Sequence, residues 1–414
     1  MSTSCGNPNA ESDALMPRRR KFDRSKLCIK CKINQGNIVI RHAVYCKDCF
    51  LPMMYNKIKR TIEPTINPTP EGPRKKNLNP SGNLVIAFSG GLGSTVLLDV
   101  IYRGYFSSRR PRGETNTLSE GKDPKKERVW KEGKVCYVEV CGAFHGMRDR
   151  TDDVRRIVER YDDLEFVPLR IEDAFDESWW ESVDLILSPC SRNGTPLSAL
   201  CNYLSSLPAP TAIPSTLQTL TRLLLLHTAL STHSSHLALG TCLTSLSISL
   251  VSLVAQGGGF NLKEEVQEEW SPDSLSRSKG RSVRVVRPLK DIVMKECAMY
   301  AWWKGLEIVG QETWPGARQG ISRITKDFII GLEKDYPSTV STIARTCAKL
   351  SPKDHAVGTC ILCNRPAQPG VQEWKNRISI RSLSTDPPVS SEKASLAPYL
   401  CYACHTTLTS KSSK

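Results

Sequence analysis

The chain has 414 residues, of which 39% are hydrophobic, and a formal net charge of +15 at pH 7. This length allows one large hydrophobic core with one or two small modules, and the polar, basic opening of the sequence predicts no secretory signal peptide. Residues 223–262 carry no acidic or basic side chain, but they contain three histidines and no continuous apolar run long enough to cross a membrane, so no membrane partner is expected.

The positive charge is concentrated at the start of the chain. Residues 1–80 contain 16 Lys or Arg residues and 6 Asp or Glu residues. Such an excess favours an anionic partner, with nucleic acid ahead of a membrane surface. The alternative is a basic tail that is only solvated. Residues 1–25 are predicted to form a disordered basic N-terminus.

Two Cys-x-x-Cys pairs lie in residues 26–60, which are predicted to form a zinc ribbon. Fourteen residues separate the two pairs, and this spacing lets both knuckles supply thiolates to one tetrahedral zinc ion. Two redox-active pairs are the alternative. Residues 61–83 contain five prolines and are predicted to be an extended linker. The predicted zinc ligands are Cys28, Cys31, Cys46 and Cys49.

An α/β domain is predicted for residues 84–350. Short apolar runs alternate with helical patterns, which is typical of a parallel sheet covered by helices on both sides. The stretches 107–133 and 171–212 are interpreted as loop insertions. Five strands are expected, at 84–88, 135–140, 164–169, 236–239 and 283–286. Helices are expected at 94–105, 152–161, 217–230 and 243–254, from Pro288 onwards, and within 321–350.

Residues 351–414 are predicted to form a second zinc module with an insert and a tail. Two further Cys-x-x-Cys pairs are separated by 37 residues, and inserting residues into such a loop costs little free energy. His405 is a competing ligand, although four sulfur ligands give the simpler site. The predicted ligands are Cys360, Cys363, Cys401 and Cys404.

A glycine-rich turn follows the first predicted strand of the α/β domain. The turn is neither a Walker A loop nor a dinucleotide fingerprint, because it lacks the Gly-Lys-Ser/Thr ending and its glycine spacing differs. It resembles the PP-loop, Ser-Gly-Gly-x-Asp-Ser, with which the ATP pyrophosphatases hold the pyrophosphate of ATP at a helix N-terminus. A strand-to-helix turn that binds no ligand is the alternative. The loop residues are Ser89, Gly90, Gly91, Gly93 and Ser94, and Gly93 stands where the family has Asp.

The order of these parts is similar to that of the cytoplasmic tRNA 2-thiouridylases. The segment Arg287-Pro288-Leu289, followed by Glu296 and Tyr300, strengthens this resemblance. The catalytic paralogue has an acidic motif at the start of one helix, where this chain reads Gly240-Thr241-Cys242-Leu243-Thr244-Ser245. Over roughly residues 26–405 the sequence therefore resembles the cytoplasmic tRNA 2-thiolation protein 2 family, a degenerate paralogue of the thiouridylase.

The resemblance implies a cytoplasmic heterodimer with a catalytic paralogue. In that family, sulfur from a thiocarboxylated ubiquitin-like carrier is placed on C2 of the wobble uridine in the tRNAs for Lys, Gln and Glu. Cysteines carry the sulfur in the catalytic paralogue, and the candidates here are Cys141, Cys190, Cys201 and Cys242. A free cysteine is more often a small buried hydrophobic residue.

Three hypotheses follow. The first is a partner subunit of the tRNA thiolation complex whose degenerate loop hydrolyses no ATP alone, because the carboxylates that hold magnesium are missing. The second is a self-sufficient ATP-dependent tRNA sulfurtransferase. The third is a zinc-ribbon RNA-binding protein whose α/β core is only a scaffold.

Overall fold

The fold was analysed in a computed structural model that describes residues 27–67, 78, 80, 82–107, 129–183, 194–272, 281–310, 320–350, 355–378 and 396–409. The strands are β1 Ile38–Ile40, β2 Ala43–Tyr45, β3 Asn83–Ala87, β4 Gly133–Glu139, β5 Leu164–Arg170, β6 Ser234–Leu239, β7 Glu268–Trp270, β8 Val283–Val286, β9 Gly358–Thr359 and β10 Pro366–Ala367. The helices are α1 Lys47–Ile66, α2 Leu92–Ile101, α3 Thr151–Val158, α4 Glu177–Ser182, α5 Pro196–Ser206, α6 Ile213–Ser231, α7 Leu243–Ala255, α8 Leu262–Val266, α9 Met294–Lys304, α10 Ile321–Asp335, α11 Ser338–Lys349, α12 Val371–Ile378 and α13 Tyr402–Thr409.

The centre of the molecule is a six-stranded sheet in the order β5-β4-β3-β6-β8-β7. The five predicted strands are confirmed and run parallel, while β7 pairs antiparallel with β8 at one edge. Strand β7 was not predicted, because an edge strand of three residues gives almost no periodic signal in the sequence. The strand order reverses between β3 and β6, and ligands of open α/β sheets bind at the carboxyl ends of the strands at such a point.

Each face of the sheet is covered by its own apolar core. Strand β3 shows why, because Leu84 and Ile86 point into one core and Val85 into the other. Helices α1, α2, α3 and α9 cover the first face, and α5 and α6 cover the second. A third core joins α7, α8, α10 and α11. Within the described residues, no helix is long and apolar enough to cross a membrane.

Helix α1 corrects the predicted linker. It extends to Ile66, six residues into the segment 61–83 that the prolines mark as extended. Pro64 is exposed near the end of the helix, whereas one stripe of α1 is buried in the first core. The packing of this stripe therefore outweighs the helix-breaking tendency of proline. The buried stripe consists of Phe50, Leu51, Met54, Ile58, Ile62 and Ile66.

The two predicted loop insertions also need correction. Residues 171–212 contain α4 and α5, and Leu200 and Leu204 of α5 are buried in the second core. Residues 108–128 of the other stretch lie outside the described residues, but Trp130 is fully buried and β4 begins at Gly133. Residues 1–25 lie entirely outside the described residues, so their predicted disorder stays a prediction.

Two helix boundaries differ from the predicted ones. The helix expected from Pro288 onwards begins instead at Met294, because residues 287–292 form turns with hydrogen bonds from Lys290 N to Arg287 O and from Ile292 N to Leu289 O. The Glu296 carboxylate accepts a hydrogen bond from Val293 N at 2.9 Å and caps the helix there. The stretch 321–350 is two helices, α10 and α11.

Candidate nucleotide loop and metal centres

The loop from Ser89 to Ser94 connects β3 to α2 at the point where the strand order reverses. Gly90 has a φ of +72°, a conformation that glycine adopts without a steric penalty. Gly310 N donates to Gly90 O at 3.0 Å, and Arg150 donates through Nη1 to Gly310 O at 2.6 Å. A Cβ atom on Gly90 would lie 3.2 Å from the Cβ of Val309. The segment that follows α9 therefore lies against the loop.

The hydroxyl groups of the loop are engaged within the loop itself. Ser94 Oγ donates to Gly91 O at 2.9 Å, and Thr95 Oγ1 donates to the same oxygen at 3.0 Å. Ser89 Oγ lies 3.2 Å from Ser94 Oγ. These bonds fix the turn at the start of α2, where a phosphate-binding loop would present its donors to a ligand.

Gly93 occupies the position of the missing loop carboxylate, and the structure leaves no room for a side chain there. A Cβ atom on Gly93 would overlap the carbonyl oxygen of Gly240, which follows β6. Conversely, a Cβ atom on Gly240 would lie 2.5 Å from Ser94 N. The two segments from which the acidic residues are absent are thus adjacent, and their backbones are in contact. An aspartate at position 93 requires the backbone to move.

The start of α7 has no acidic residue of its own and is held by hydrogen bonds of Thr244. Thr244 is fully buried, accepts a hydrogen bond from Met294 N at 3.0 Å, and donates to a carboxylate oxygen of Glu333 at 2.9 Å. Burial raises the pKa of Glu333. The carboxylate that is hydrogen-bonded to the degenerate motif therefore comes from α10 and accepts its bond from a threonine.

Cys242 caps α7 as predicted, but it is 3% exposed. A hydrogen bond with the thiol of Cys297 and bonds with Ser245 lower the pKa of Cys242 to about 6, although burial opposes this shift. Cys297 on α9 is fully buried, and its hydrogen bond with Cys242 and its burial raise its pKa. A sulfur carrier protein cannot reach this thiol pair in the folded chain.

Cys141 is the half-buried candidate and lies just after β4. Its Sγ is 3.9 Å from Arg170 Nη2, but burial and the neighbouring carboxylates raise its pKa. Glu139 and Asp149 have oxygens within 4.8 Å of this sulfur. The Glu139 carboxylate already accepts four hydrogen bonds, from Tyr137 Oη and from three backbone N–H groups, so it is a structural group with little capacity for a metal ion.

The other two candidate cysteines have different settings. Cys201 is exposed on α5. Cys190 lies outside the described residues. Among the three candidates that the structure describes, none is paired with another, and the thiol next to Cys242 belongs to Cys297, which was not a predicted candidate.

The N-terminal cluster, formed by Cys28, Cys31, Cys46 and Cys49, is assembled by the β1–β2 hairpin and the start of α1. All four sulfurs lie within 4.8 Å of one another, and those of Cys31 and Cys46 are 3.8 Å apart. A tetrahedral ion with metal–sulfur bonds of about 2.3 Å needs sulfurs about 3.8 Å apart. Asn34 N donates to Cys31 Sγ at 3.5 Å. The donor set and its spacing fit a metal ion.

The C-terminal cluster, formed by Cys360, Cys363, Cys401 and Cys404, is fully buried and also lies within 4.8 Å. The Cys363 and Cys401 sulfurs are 3.8 Å apart. His405 is buried, and burial lowers its pKa, but it does not belong to this group of ligand atoms. Four cysteines therefore fit a metal here without the histidine.

The residues of the Arg287 pattern connect distant parts of the molecule. Tyr300 Oη donates to Asp99 on α2 at 2.7 Å, and Glu296 forms a 2.8 Å ion pair with Lys57 on α1. Arg287 lies 3.7 Å from Glu265 on α8. The pattern thus stabilises the assembly of α1, α2, α8 and α9 around the sheet.

The comparisons with known proteins agree with this architecture. Residues 320–406 match the family model described as cytoplasmic tRNA 2-thiolation protein 2. The chain is 26% identical over 374 residues to the protein of that name from Pyrenophora tritici-repentis, covering 86% of this chain and 88% of the relative. With the Phaeosphaeria nodorum protein of that name the identity is 25%, covering 92% and 94%. The chain is therefore similar to proteins named cytoplasmic tRNA 2-thiolation protein 2 over most of its length, and residues 320–406 match the model of that family.

Among solved structures, the chain is similar to the U34-tRNA thiolase NcsA from Methanococcus maripaludis, determined with its [4Fe-4S] cluster. The TM-score is 0.53 at 16% identity, covering 87% of this chain and 99% of NcsA. At this identity the similarity shows the fold, and it confirms the predicted PP-loop α/β architecture. The part matched by the family model includes α10, α11 and the C-terminal cluster.

Proposed function

We propose that this chain is a cytoplasmic subunit of the complex that thiolates the wobble uridine of tRNA. In this proposal it acts as a heterodimer with a catalytic paralogue, and it helps to transfer sulfur from a thiocarboxylated ubiquitin-like carrier to the tRNAs for Lys, Glu and Gln. Similarity to proteins named cytoplasmic tRNA 2-thiolation protein 2 supports the pathway. The contact between Gly93 and Gly240 supports the division of labour between the two subunits.

The contact between Gly93 and Gly240 supports the proposal most directly, because it lies where a PP-loop would bind ATP. A magnesium triphosphate needs carboxylates to hold the metal ion. Both segments that would supply them meet through their backbones, and the loop hydroxyls bond to Gly91 or to one another. The loop instead fixes the turn between β3 and α2, and adenylation is assigned to the paralogue.

The two cysteine clusters are proposed to hold zinc as structural ions. Each offers four thiolates at a spacing suited to tetrahedral zinc, and each joins segments that are far apart in sequence. Elemental analysis of the purified chain should give about two equivalents of zinc, as expected for two closed four-cysteine sites. Iron with acid-labile sulfide in either site would contradict the zinc assignment.

Mass spectrometry of wobble uridines tests the role in thiolation. Cells lacking this chain should lose 2-thiouridine from the tRNAs for Lys, Glu and Gln, and expression of the wild-type chain should restore it. Complementation with Ser89→Ala should also restore it, because this exposed hydroxyl is not needed for ATP chemistry in the partner. Unchanged 2-thiouridine in the deletion strain would contradict the function and favour the scaffold hypothesis.

A measurement of ATP consumption tests the division of labour. The purified chain alone should release no pyrophosphate from ATP in the presence of tRNA, whereas the chain together with its paralogue should. Pyrophosphate release and tRNA thiolation by the chain alone would establish the self-sufficient sulfurtransferase instead. A Gly93→Asp variant that remains inactive would support the steric argument.

A further inference from the structure

A cleft of 670 Å³ lies between the β1–β2 turn, α1 and α11. The turn between β1 and β2 forms one wall, α1 and residues 290–291 form another, and α11 closes the third side. Leu243 and Leu246 of α7 contribute apolar lining. The N-terminal ribbon and the region matched by the family model therefore border one concave surface.

The cleft is strongly basic. Its described lining contains five Lys or Arg side chains and one carboxylate, Asp291. Lys57 is paired with Glu296 at 2.8 Å, and Asp291 accepts a hydrogen bond from Thr61 Oγ1 at 3.4 Å. The other four cations form no ion pair within the described part of the chain. These four cations are Arg41, Arg60, Lys290 and Arg345.

Arg41 is held in an unfavourable backbone conformation at the tip of the hairpin. Its φ is +55°, the left-handed region in which a non-glycine residue is destabilised by roughly 1 kcal/mol. Asn or Gly is the usual residue at such a turn position. An arginine here directs an exposed cation to the rim of the cleft, although glycine would satisfy the turn better.

The surface between the cations is apolar. Tyr45 and Met53 line the cleft beside Leu243, and Tyr45 is only half-buried. Four unpaired cations in one concavity concentrate positive potential and require an occupant with several closely spaced negative charges. A nucleic acid strand has one such charge per nucleotide together with flat bases that can stack on an apolar lining. An acidic protein surface provides the charge without the flat rings.

We propose that this basic cleft, defined by Arg41, Arg60, Lys290 and Arg345, binds a strand of the RNA substrate through its phosphates. The inference rests on the proposed function, because it takes tRNA as the substrate, and it assigns the contact surface. The cleft lies between the hairpin held by the N-terminal cluster and α11. The ribbon therefore contributes a wall of the RNA site through its β1–β2 turn.

The decisive experiment measures the binding of tRNA to the full chain over a range of salt concentrations. A cleft variant carries Arg41→Gln, Arg60→Gln, Lys290→Gln and Arg345→Gln. A control variant carries Lys131→Gln, Lys304→Gln, Arg323→Gln and Lys326→Gln, which lie outside the cleft lining and remove the same charge. The cleft variant should lose about tenfold or more in affinity, and the slope of log affinity against log salt should become shallower by about three. The control should change far less.

The single variant Arg41→Gly separates binding from folding. It relieves the left-handed strain, so its thermal midpoint should equal or exceed that of the wild type. Its affinity for tRNA should nevertheless fall by about threefold to tenfold, because one phosphate contact is lost. Reduced affinity with an undiminished midpoint cannot be attributed to unfolding.

The outcomes distinguish this inference from the proposed function. Equal tRNA affinities of the cleft and control variants, with strong binding by the wild type, would overturn the cleft assignment and leave the thiolation role intact. A cleft variant that keeps its tRNA affinity but no longer co-purifies with the paralogue would make the cleft a protein interface, which also overturns the inference. Absence of tRNA binding by the wild type would overturn both.

Discussion

The N-terminal and C-terminal clusters each consist of four cysteines, but they are joined to the rest of the protein in different ways. Helix α1 begins between two ligands of the N-terminal cluster and continues for five turns into the first core. The C-terminal cluster forms a small apolar group of its own. It is held to the α/β core by Arg222, which pairs with Glu268 and donates to Cys363 O, and by Arg365, which pairs with Glu265 at 2.7 Å.

This difference predicts that the two proposed metal sites stabilise different parts of the structure. Loss of the N-terminal metal would release the end of a helix whose buried stripe belongs to the main core. Loss of a metal from the C-terminal cluster would release a module whose apolar group is separate from the main cores. Burial raises the pKa of Glu265, but Arg365 and Arg287 outweigh burial and lower this pKa to about 2, so the Arg365–Glu265 pair persists throughout the neutral range.

The largest effect is expected from Cys28→Ser. Removal of one thiolate weakens metal binding, and binding of a structural metal is coupled directly to folding. With α1 loosened, the free energy of unfolding should fall by about 5 kcal/mol or more, a large share of the stability of a typical domain. Thermal unfolding followed by circular dichroism measures this change. The exposed Cys201→Ser is the control and should shift the free energy by less than about 0.5 kcal/mol. An unchanged midpoint for Cys28→Ser would show that α1 needs no metal.

A smaller and more local effect is expected from Cys360→Ser. The C-terminal cluster should open while the sheet and its two main cores remain folded, because the cluster forms an apolar group of its own that the Arg222 and Arg365 bonds join to the core. Limited proteolysis should then cleave within residues 355–409 and leave the α/β core intact. The thermal midpoint of the core should fall by only a few degrees. Complete unfolding of the chain by this variant would mean that both clusters have the same structural reach.

The nucleotide loop differs from both clusters. It lacks the acidic residues that would hold a metal ion, and the backbones of Gly93 and Gly240 are in contact at this point. Gly93→Ala adds one methyl group against Gly240 O and should reduce the free energy of unfolding by about 1–3 kcal/mol. Gly104→Ala is the matched control, since its new methyl group meets no atom within 4 Å. Chemical denaturation compares the two variants. Equal free energies of unfolding would show that the backbone at Gly240 moves at little cost and that an aspartate at position 93 could be accommodated.

Much of this architecture could be predicted from the sequence. The parallel strands were evident because short apolar runs alternate with helices, and both cysteine clusters were evident because Cys-x-x-Cys spacing constrains the chain locally. Helix α1 was not predicted, because residues 26–60 were assigned to the zinc ribbon and the prolines of residues 61–83 gave a stronger local signal than the stripe of apolar residues at every fourth position. That stripe, from Phe50 to Ile66, was the signal that could have corrected the linker.

Other parts of the site could not be predicted, because they depend on contacts between distant segments. The missing carboxylates could be read from the sequence, but the closure of Gly93 against Gly240 joins residues nearly 150 positions apart. Cys297 gave no signal of its own, since a buried cysteine on a helix resembles any core residue. The basic cleft combines cations from four separate segments, and each of these is unremarkable in isolation.

The smallest effect in this series concerns the basic residues at the start of the chain. Deletion of residues 1–60 would remove most of α1 and confuse charge with stability, so neutralisation is the cleaner change. Replacing Arg18, Arg19, Arg20 and Lys21 by Gln should reduce the slope of log tRNA affinity against log salt by about 0.7–0.9 for each phosphate contact that is lost. Neutralising Lys411 and Lys414 at the other end is the comparison. If the slope per removed cation is the same at both ends, the basic start of the chain acts only as a solvated tail. A larger value at the N-terminal end would indicate that this segment extends the RNA surface that begins in the cleft.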